Sequence, residues 1–195
     1  LETFVIITGG PGTGKSTIIK GIIESLCILE SEEYRTSIAL LAPTGRAAKR
    51  LKEITNHPAQ TIHKFLGFEG HGIFKYGPEE QVYAKVVIVD EVSMVDIILM
   101  ARLLGAIPKE AKIILVGDRD QLPSVGPGQV LSDIIRSKEL ISIELDQIHR
   151  QAENSTIVDL AHAVNQGYLP ETILEKTNDR NFFSMHDVQI ANNIE

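Results

Sequence analysis

The residues with the clearest chemical signature lie between Gly9 and Thr17. Their sequence, GGPGTGKST, fits the GxxxxGK[S/T] pattern of a phosphate-binding loop and directly follows a short apolar run. Glycines let successive backbone N–H groups turn toward one anion, and Lys15 adds a positive charge for the β and γ phosphates. Ser16 offers a hydroxyl ligand to Mg²⁺. The predicted contacts to a nucleoside triphosphate are Gly10, Pro11, Gly12, Thr13, Gly14, Lys15, Ser16 and Thr17.

Two carboxylates follow a second apolar run, Val86–Val89. Asp90 suits the ligand shell of a magnesium ion, and Glu91 can polarise a water molecule for in-line attack on the γ phosphorus. Because ligands of open parallel sheets bind at the carboxyl ends of the strands, these acids and the phosphate-binding loop belong at one edge. The pair therefore predicts hydrolysis of the triphosphate rather than transfer of its γ-phosphoryl group to a small hydroxyl compound.

Two further polar residues each follow a later apolar run of the chain. Gln121 carries an amide that could orient the attacking water or register the loss of the γ phosphate. Arg150 could act as an arginine finger, which stabilises the negative charge of the transition state. The predicted catalytic set is Lys15, Glu91, Gln121 and Arg150, and Ser16 and Asp90 are the predicted magnesium ligands.

A basic stretch lies between Pro43 and Gly67, with five basic residues against one acidic residue. Its net charge of +4 contrasts with the total of −7, and a positive face of this kind can follow a nucleic-acid backbone. The same basic residues also fall at helical spacing, so an ordinary solvated helix face remains the alternative interpretation. The predicted nucleic-acid contacts are Thr44, Gly45, Arg46, Thr61 and His63.

Alternating apolar runs and helical patterns must position these side chains, and they indicate βαβ units with a parallel sheet. The predicted buried strands are Phe4–Thr8, Ile38–Ala42, Val86–Asp90, Ile113–Gly117 and Ile141–Leu145. The predicted helices are Lys15–Leu29, Gly45–Ile54, Met94–Leu104, Gly128–Ile135 and Ser155–Gln166. Residues 68–83 interrupt this alternation with glycines and isolated aromatic residues, which predicts a small hairpin or loop insertion.

The composition excludes several classes of protein. With 195 residues, 43% hydrophobic and 23% charged, the chain has the make-up of an ordinary globular domain. Its single cysteine, Cys27, excludes an intramolecular disulfide and a multi-cysteine zinc site, and we expect it to pack as a small apolar residue. The apolar runs are far shorter than the roughly 20 residues that cross a membrane. No signal peptide is visible, so we predict a cytoplasmic protein with no membrane contact.

Six segments in chain order resemble the motor motifs of superfamily 1 helicases, and of the RecD-like group (exodeoxyribonuclease V alpha subunit family) in particular. They are GGPGTGKS, APTGRAAKRL, TIHKFLG, VVIVDEVSMVD, VGDRDQLPSVGPG and LDQIHRQ. The resemblance implies a P-loop NTPase fold with a RecA-like parallel sheet flanked by helices. It also implies hydrolysis of ATP, with Mg²⁺, coupled to movement along single-stranded DNA in the 5′–3′ direction.

The resemblance assigns roles to individual residues. Lys15 and Ser16 would hold the phosphates and magnesium, and Asp90 and Glu91 would form the Walker B pair. Gln121 would sense the γ phosphate, and Arg150 would be the motif IV arginine. The positions of Thr44, Thr61 and His63 correspond to contacts with the DNA backbone. Residues 68–83 lie where this group carries a small pin that splits the duplex.

The same resemblance predicts the first motor domain over 1–167 and a linker, or the start of the segment leading to a second motor domain, over 168–195. We expect such a motor half to hydrolyse ATP weakly by itself. Its expected partners are single-stranded DNA, the second motor domain and subunits of a nuclease–helicase complex in DNA repair and recombination.

The alternatives to a helicase motor are another P-loop ATPase, a small-molecule kinase, or a non-hydrolysing ATP-binding module that regulates a DNA-repair complex. Glu91 beside Asp90 favours hydrolysis over transfer to a substrate hydroxyl, and the presence of both acids argues against a non-hydrolysing module.

Overall fold

A computed structural model describes residues 3–146, 156–165 and 167–180. The chain divides into two units, Leu1–Gln147 and Ile148–Glu195. The first unit contains both sheets and the described site residues discussed below. The domain boundaries suggested by the sequence, 1–167 and 168–195, stay a prediction.

Within the described residues, eight strands form two sheets. In chain order they are β1 (Phe4–Gly9), β2 (Ile38–Ala42), β3 (Ala59–Thr61), β4 (Phe68–Gly70), β5 (Ile73–Phe74), β6 (Val86–Val89), β7 (Lys112–Gly117) and β8 (Ile141–Leu145). The main sheet has six strands in the order β3-β2-β6-β7-β1-β8, and every pair of neighbours is parallel. Strands β4 and β5 form a separate antiparallel hairpin, so the predicted parallel sheet and hairpin insertion are confirmed.

In the described part of the chain, six α-helices connect or follow these strands. They are α1 (Lys15–Leu29), α2 (Gly45–Thr55), α3 (Ile62–Phe65), α4 (Ile97–Ala106), α5 (Val130–Ser137) and α6 (Thr156–Asn165). Short 3-10 turns occupy Glu32–Ser37, Val92–Met94 and Glu171–Leu174. In the part of the chain that the structure describes, no helix combines the length and apolar character needed to cross a membrane.

The core consists of two apolar clusters, one on each face of the main sheet. Alternate side chains of a strand point to opposite faces, so β1 contributes Ile6 to one cluster and Ile7 to the other. Helices α1 and α2 cover the Ile7 face, while α4 and α5 cover the Ile6 face. Strand β6 is buried along its whole length because both of its faces are covered. Cys27 packs in the Ile7 cluster, as predicted for a small apolar residue.

The structure departs from the sequence-based prediction most clearly at two elements. Strand β8 was expected to be buried, but Ile141 and Ile143 are 47% and 48% exposed. It lies at the edge of the sheet, where β1 is its only partner among the described residues. Helix α4 begins at Ile97 rather than at Met94, because Asp96 caps it by accepting a hydrogen bond from the Leu99 N–H at 2.8 Å.

Candidate nucleotide-binding site and nucleic-acid face

The parallel register brings the ends of four strands to one edge of the sheet. Thr8 of β1 pairs with Gly117 of β7, and Gly9 of β1 pairs with Leu145 of β8. Strand β6 lies on the other side of β7 and ends immediately before Asp90. The loop after β1, the two carboxylates after β6 and the segment after β7 therefore meet at the carboxyl edge of the sheet. Arg150, which follows β8, lies outside the described residues.

The loop between β1 and α1 leaves backbone N–H groups available for an anion. Gly12 and Gly14 have φ angles of 80° and 82°, in the left-handed region that side-chain-bearing residues rarely adopt. Gly14 is the N-cap of α1, so no side chain caps this helix, and its first turn contains no acidic residue. An uncapped helix N-terminus after a glycine-rich turn fits a phosphate group.

The Lys15 ammonium group lies at the mouth of this loop. Its Nζ donates hydrogen bonds to the carbonyl oxygens of Gly9 at 2.7 Å and Gly10 at 2.9 Å. The Thr13 hydroxyl donates to the Gly10 carbonyl oxygen at 2.9 Å and so ties the turn together. Ser16 follows at the second residue of α1, where its hydroxyl is partly exposed at the same edge. These positions fit the roles in phosphate and magnesium binding predicted for Lys15 and Ser16.

Asp90 is a buried carboxylate whose environment favours a nearby cation. Its side chain is 8% exposed, and burial raises its pKa from 3.8 to about 6. The hydrogen bond from the Glu91 N–H to Oδ1, at 2.9 Å, opposes this rise in pKa, while the negative charge of Glu91 adds to it. The positive charges of Lys15 and Arg50 lower the pKa only in part. A divalent cation would supply the remaining positive charge, which fits a magnesium ligand.

Glu91 occupies a constrained turn directly after β6. Its φ angle of 55° lies in the left-handed region, which costs a non-glycine residue about 1–3 kcal/mol. The turn continues into Val92–Met94, where the Met94 N–H donates to the Glu91 carbonyl oxygen at 3.0 Å. The Glu91 Oε2 atom is buried and accepts no hydrogen bond from the described residues. An orphaned carboxylate oxygen at a strained position fits a group that accepts a proton from a bound water.

Gln121 lies beside this turn and is joined to it by a hydrogen bond with Ser93. Asp118 is 3% exposed, and its Oδ1 accepts a hydrogen bond from the Asp120 N–H at 2.9 Å, which fixes the turn after β7. The Ser93 hydroxyl then donates to the Gln121 Oε1 atom at 2.8 Å. Ser93 is not among the predicted site residues, although it lies only two residues after Glu91 in the segment VVIVDEVSMVD.

The predicted nucleic-acid residues lie at the carboxyl edge of the sheet too, after strand β2, which is next to β6, and after strand β3. Thr44 caps α2 by accepting a hydrogen bond from the Ala47 N–H at 3.2 Å, and Thr61 caps α3 through the Lys64 N–H at 3.1 Å. Strands β2 and β3 are adjacent, with Ala42 paired to Thr61, so the two caps are neighbours. Each threonine accepts a cap bond and keeps its hydroxyl proton, which can be donated to a phosphate oxygen.

Exposed aromatic rings lie next to these caps. The His63 ring centroid is 5.3 Å from that of Phe68 and 5.9 Å from that of Phe74, and Phe68 is 44% exposed. The Arg102 guanidinium group lies 5.9 Å from the Phe74 ring centroid. Arg46 is exposed at the start of α2. Positive charges beside aromatic rings are the combination that proteins use to bind single-stranded nucleic acids.

A comparison with protein families matches the part of the chain that carries this site. Residues 1–127, which carry the loop, the two carboxylates and Gln121, match the AAA domain family. The chain belongs to this family. The AAA domain of this chain thus contains the whole of the candidate nucleotide site that the structure describes.

Curated relatives are similar in sequence over most of this chain. The ATP-dependent RecD2 DNA helicase of Deinococcus radiodurans is 41% identical over 166 residues, which cover 85% of this chain and 22% of the relative. The RecBCD enzyme subunit RecD of Mycobacterium tuberculosis is 37% identical over 186 residues, covering 83% of this chain and 32% of the relative. The predicted resemblance to RecD-like proteins is confirmed. The chain spans between about a fifth and a third of the length of these relatives.

Solved structures confirm the fold. Pif1 helicase from Candida albicans is 26% identical with a TM-score of 0.62, and the match covers 87% of this chain and 42% of that one. Pif1 helicase from Bacteroides in complex with ADP-AlF3 and ssDNA is 24% identical with a TM-score of 0.59, and the match covers 95% and 48%. The predicted RecA-like α/β fold is therefore correct.

Proposed function

We propose that this chain is the first motor domain of an ATP-dependent DNA helicase that moves along single-stranded DNA in the 5′–3′ direction. One observation carries the proposal: the glycine-rich loop, Lys15, Asp90, Glu91 and Gln121 meet at one carboxyl edge of a parallel sheet. The names of the RecD2 and RecD relatives support the choice of a DNA helicase over other P-loop enzymes.

Each residue of the site has a distinct task in this proposal. Lys15 and the N–H groups of the loop bind the triphosphate, while Ser16 and Asp90 hold Mg²⁺, which would neutralise charge on the phosphate oxygens. Glu91 orients a water molecule and takes its proton as the water oxygen attacks the γ phosphorus. Gln121 contacts the γ phosphate. We further propose that Arg150 stabilises the transition state as an arginine finger.

The nucleic-acid face is coupled to the nucleotide site through neighbouring strands. Strand β2, which leads into Thr44, pairs directly with β6, and the Asp90 N–H donates to the Leu41 carbonyl oxygen at 2.9 Å. A shift of the β2 end on DNA binding would therefore reach the magnesium ligand through one backbone hydrogen bond. In the proposal, Thr44, Gly45, Arg46, Thr61 and His63 hold the DNA backbone.

The proposal also includes partners and a cellular setting. A second motor domain would complete the nucleotide site, so we expect this chain by itself to hydrolyse ATP slowly. The name of the M. tuberculosis relative makes subunits of a nuclease–helicase complex the natural further partners. The buried, single Cys27 is consistent with the reducing cytoplasm as the place of action.

The experiment is DNA-stimulated ATP hydrolysis by the full-length protein, with Glu91→Gln compared with the wild type. Removal of the base should lower kcat by about 100-fold or more and leave nucleotide binding intact. Glu139→Gln, at an exposed carboxylate after α5, is the matched control and should retain full turnover. Wild-type turnover by the Glu91 variant would contradict the proposed role of Glu91. Unwinding of 3′-tailed but not of 5′-tailed duplexes would contradict the proposed direction.

A further inference from the structure

The hydrogen bond between Ser93 and Gln121 connects the two segments that flank the reacting end of the proposed triphosphate. The Ser93 Oγ atom donates to the Gln121 Oε1 atom at 2.8 Å, across 28 residues of sequence. A glutamine side chain has an oxygen that accepts and a nitrogen that donates, and its amide can face a ligand with either. The Ser93 hydroxyl engages the oxygen, which leaves the N–H₂ group to donate to a ligand.

The turn that carries Ser93 is firmly anchored. Val92 is fully buried and Val95 is 1% exposed, and the Val95 N–H donates to the Val92 carbonyl oxygen at 2.9 Å. The turn also packs closely against β7, because a Cβ atom placed on Gly117 would lie 3.4 Å from the backbone nitrogen of Ser93. The backbone that carries the Ser93 side chain is therefore held in place, two residues after Glu91.

The turn that carries Gln121 is anchored less completely. Its backbone N–H donates to the Asp118 carbonyl oxygen at 3.4 Å, but its side chain is exposed to solvent. An exposed glutamine side chain loses rotamer freedom when it binds a ligand, which costs free energy. A hydrogen bond that already holds the amide in place reduces this cost.

We propose that Ser93 is a positioning residue that fixes the Gln121 amide with its N–H₂ group toward the γ phosphate. This inference rests on the proposed ATPase function of the site. It assigns Gln121 the role of a donor to phosphate oxygens rather than that of an acceptor that orients the attacking water. Ser93 thereby links the position of the Gln121 amide to that of Glu91, since Ser93 and Glu91 belong to the same anchored turn.

The test measures how well the protein distinguishes ATP from ADP. Titration calorimetry with Mg²⁺ would give the dissociation constants of ADP and of the non-hydrolysable analogue AMPPNP, and their ratio reports recognition of the γ phosphate. Ser93→Ala should lower this ratio by about threefold to tenfold, as expected for a weakened hydrogen bond to a charged group. Ser93→Thr keeps the hydroxyl and should restore the ratio to within about twofold. Ser25→Ala, at an exposed position of α1, is the matched control.

Two further variants separate positioning from direct contact. Gln121→Glu can still accept from Ser93 but lacks the N–H donors, so it should lose discrimination at least as strongly as Ser93→Ala. The double variant Ser93→Ala with Gln121→Ala should match Gln121→Ala alone, because Ser93 acts through Gln121. Thermal unfolding of each variant would show whether the fold is retained, and Ser93→Thr keeps the proposal testable if Ser93→Ala is unstable.

The outcomes separate this inference from the proposed function. An unchanged ratio in Ser93→Ala, together with a lowered ratio in Gln121→Ala, would overturn the positioning role and leave the ATPase proposal intact. Full discrimination by Gln121→Glu would overturn the donor assignment. Failure of the wild type to bind either nucleotide, or binding insensitive to Lys15→Ala, would overturn the proposed function and this inference with it.

Discussion

Two sets of helix N-termini face the same edge of the sheet, and they are built in opposite ways. Helix α1 begins after Gly14 with no side-chain cap, whereas α2 and α3 begin after Thr44 and Thr61, whose hydroxyls accept hydrogen bonds from the helix backbone. The uncapped end leaves backbone donors for a ligand, while the capped ends present side-chain hydroxyls on satisfied helices. The N-terminus of α1 at the proposed nucleotide site thus offers backbone groups to a ligand, and those of α2 and α3 at the proposed nucleic-acid face offer side chains.

The two regions also differ in burial and strain. Asp90 is buried and Glu91 has a left-handed backbone, whereas Thr44, Arg46 and His63 are exposed. Buried charge and backbone strain lower the stability of the folded state, and a bound ligand can offset that cost. Changes in the nucleotide site should therefore have large effects on stability or affinity, and changes on the nucleic-acid face should have smaller ones.

The largest expected effect is that of Asp90→Asn on the pH dependence of stability. The Asp90 pKa is raised from 3.8 to about 6 in the folded protein, so the folded state binds the proton more tightly than the unfolded state. The bound proton on Asp90 therefore stabilises the folded state fully below about pH 4, and this stabilisation is lost as the pH rises to about 6. The free energy of unfolding falls by about 3 kcal/mol over this range. Asparagine does not ionise, so the variant should not show this fall.

Urea denaturation of both proteins at pH 4.5 and pH 7.5, with EDTA and without nucleotide, would measure this effect. The difference in free energy of unfolding between Asp90→Asn and the wild type should shift in favour of the variant as the pH rises. Parallel pH profiles for the two proteins would show that the Asp90 carboxylate is not destabilised by burial.

Lys15→Ala should have the next largest effect, on nucleotide affinity. Loss of the ammonium group should weaken binding of Mg²⁺·AMPPNP by about 100-fold, because charged hydrogen bonds to phosphate are lost. Affinity for a single-stranded oligonucleotide should not change, since Lys15 belongs to the other region. Lys20→Ala, at an exposed position of the same helix, is the control for titration calorimetry. Equal losses for the two variants would mean that only general charge matters.

Two glycine-to-alanine substitutions, one in each region, should differ in their effect on stability. Gly12→Ala places a side chain at a φ angle of 80° and should destabilise the fold by about 1–2 kcal/mol. Gly45→Ala meets no atom within 4 Å and should leave stability unchanged or raise it by up to about 1 kcal/mol. Thermal unfolding would measure both changes. Equal destabilisation by the two substitutions would contradict the assignment of backbone strain to Gly12 and not to Gly45.

The smallest effect is expected on the nucleic-acid face. Arg46→Ala should weaken binding of a single-stranded oligonucleotide by about threefold to tenfold and reduce the slope of log affinity against log salt by about 0.7, since one phosphate contact is lost. Lys109→Ala removes an exposed charge at the opposite edge of the sheet, before β7, and is the control. Fluorescence anisotropy at several salt concentrations would give both quantities. An unchanged salt slope for Arg46→Ala would contradict the phosphate contact.

The sequence predicted the nucleotide region in more detail than the nucleic-acid region, for a physical reason. The loop and the carboxylates follow continuous apolar strands, and α1 has its predicted bounds, Lys15–Leu29. Strand β3 has only three residues, Ala59–Thr61, and its pairing with β2 depends on tertiary packing rather than on a local apolar pattern. Likewise, no local pattern shows that Ser93 reaches Gln121, because the two residues meet only when β6 and β7 pair.

A crystal structure of this chain with Mn²⁺·AMPPNP would show whether the loop and the two carboxylates bind one nucleotide and its metal, because the anomalous signal of manganese locates the metal independently of the nucleotide. We expect one nucleotide in the loop before α1, with the metal about 2.2 Å from the Ser16 hydroxyl and its hydration shell in contact with Asp90. We also expect the γ phosphate between Lys15 and Gln121. A metal or triphosphate bound away from the ends of β1, β6 and β7 would contradict this expectation.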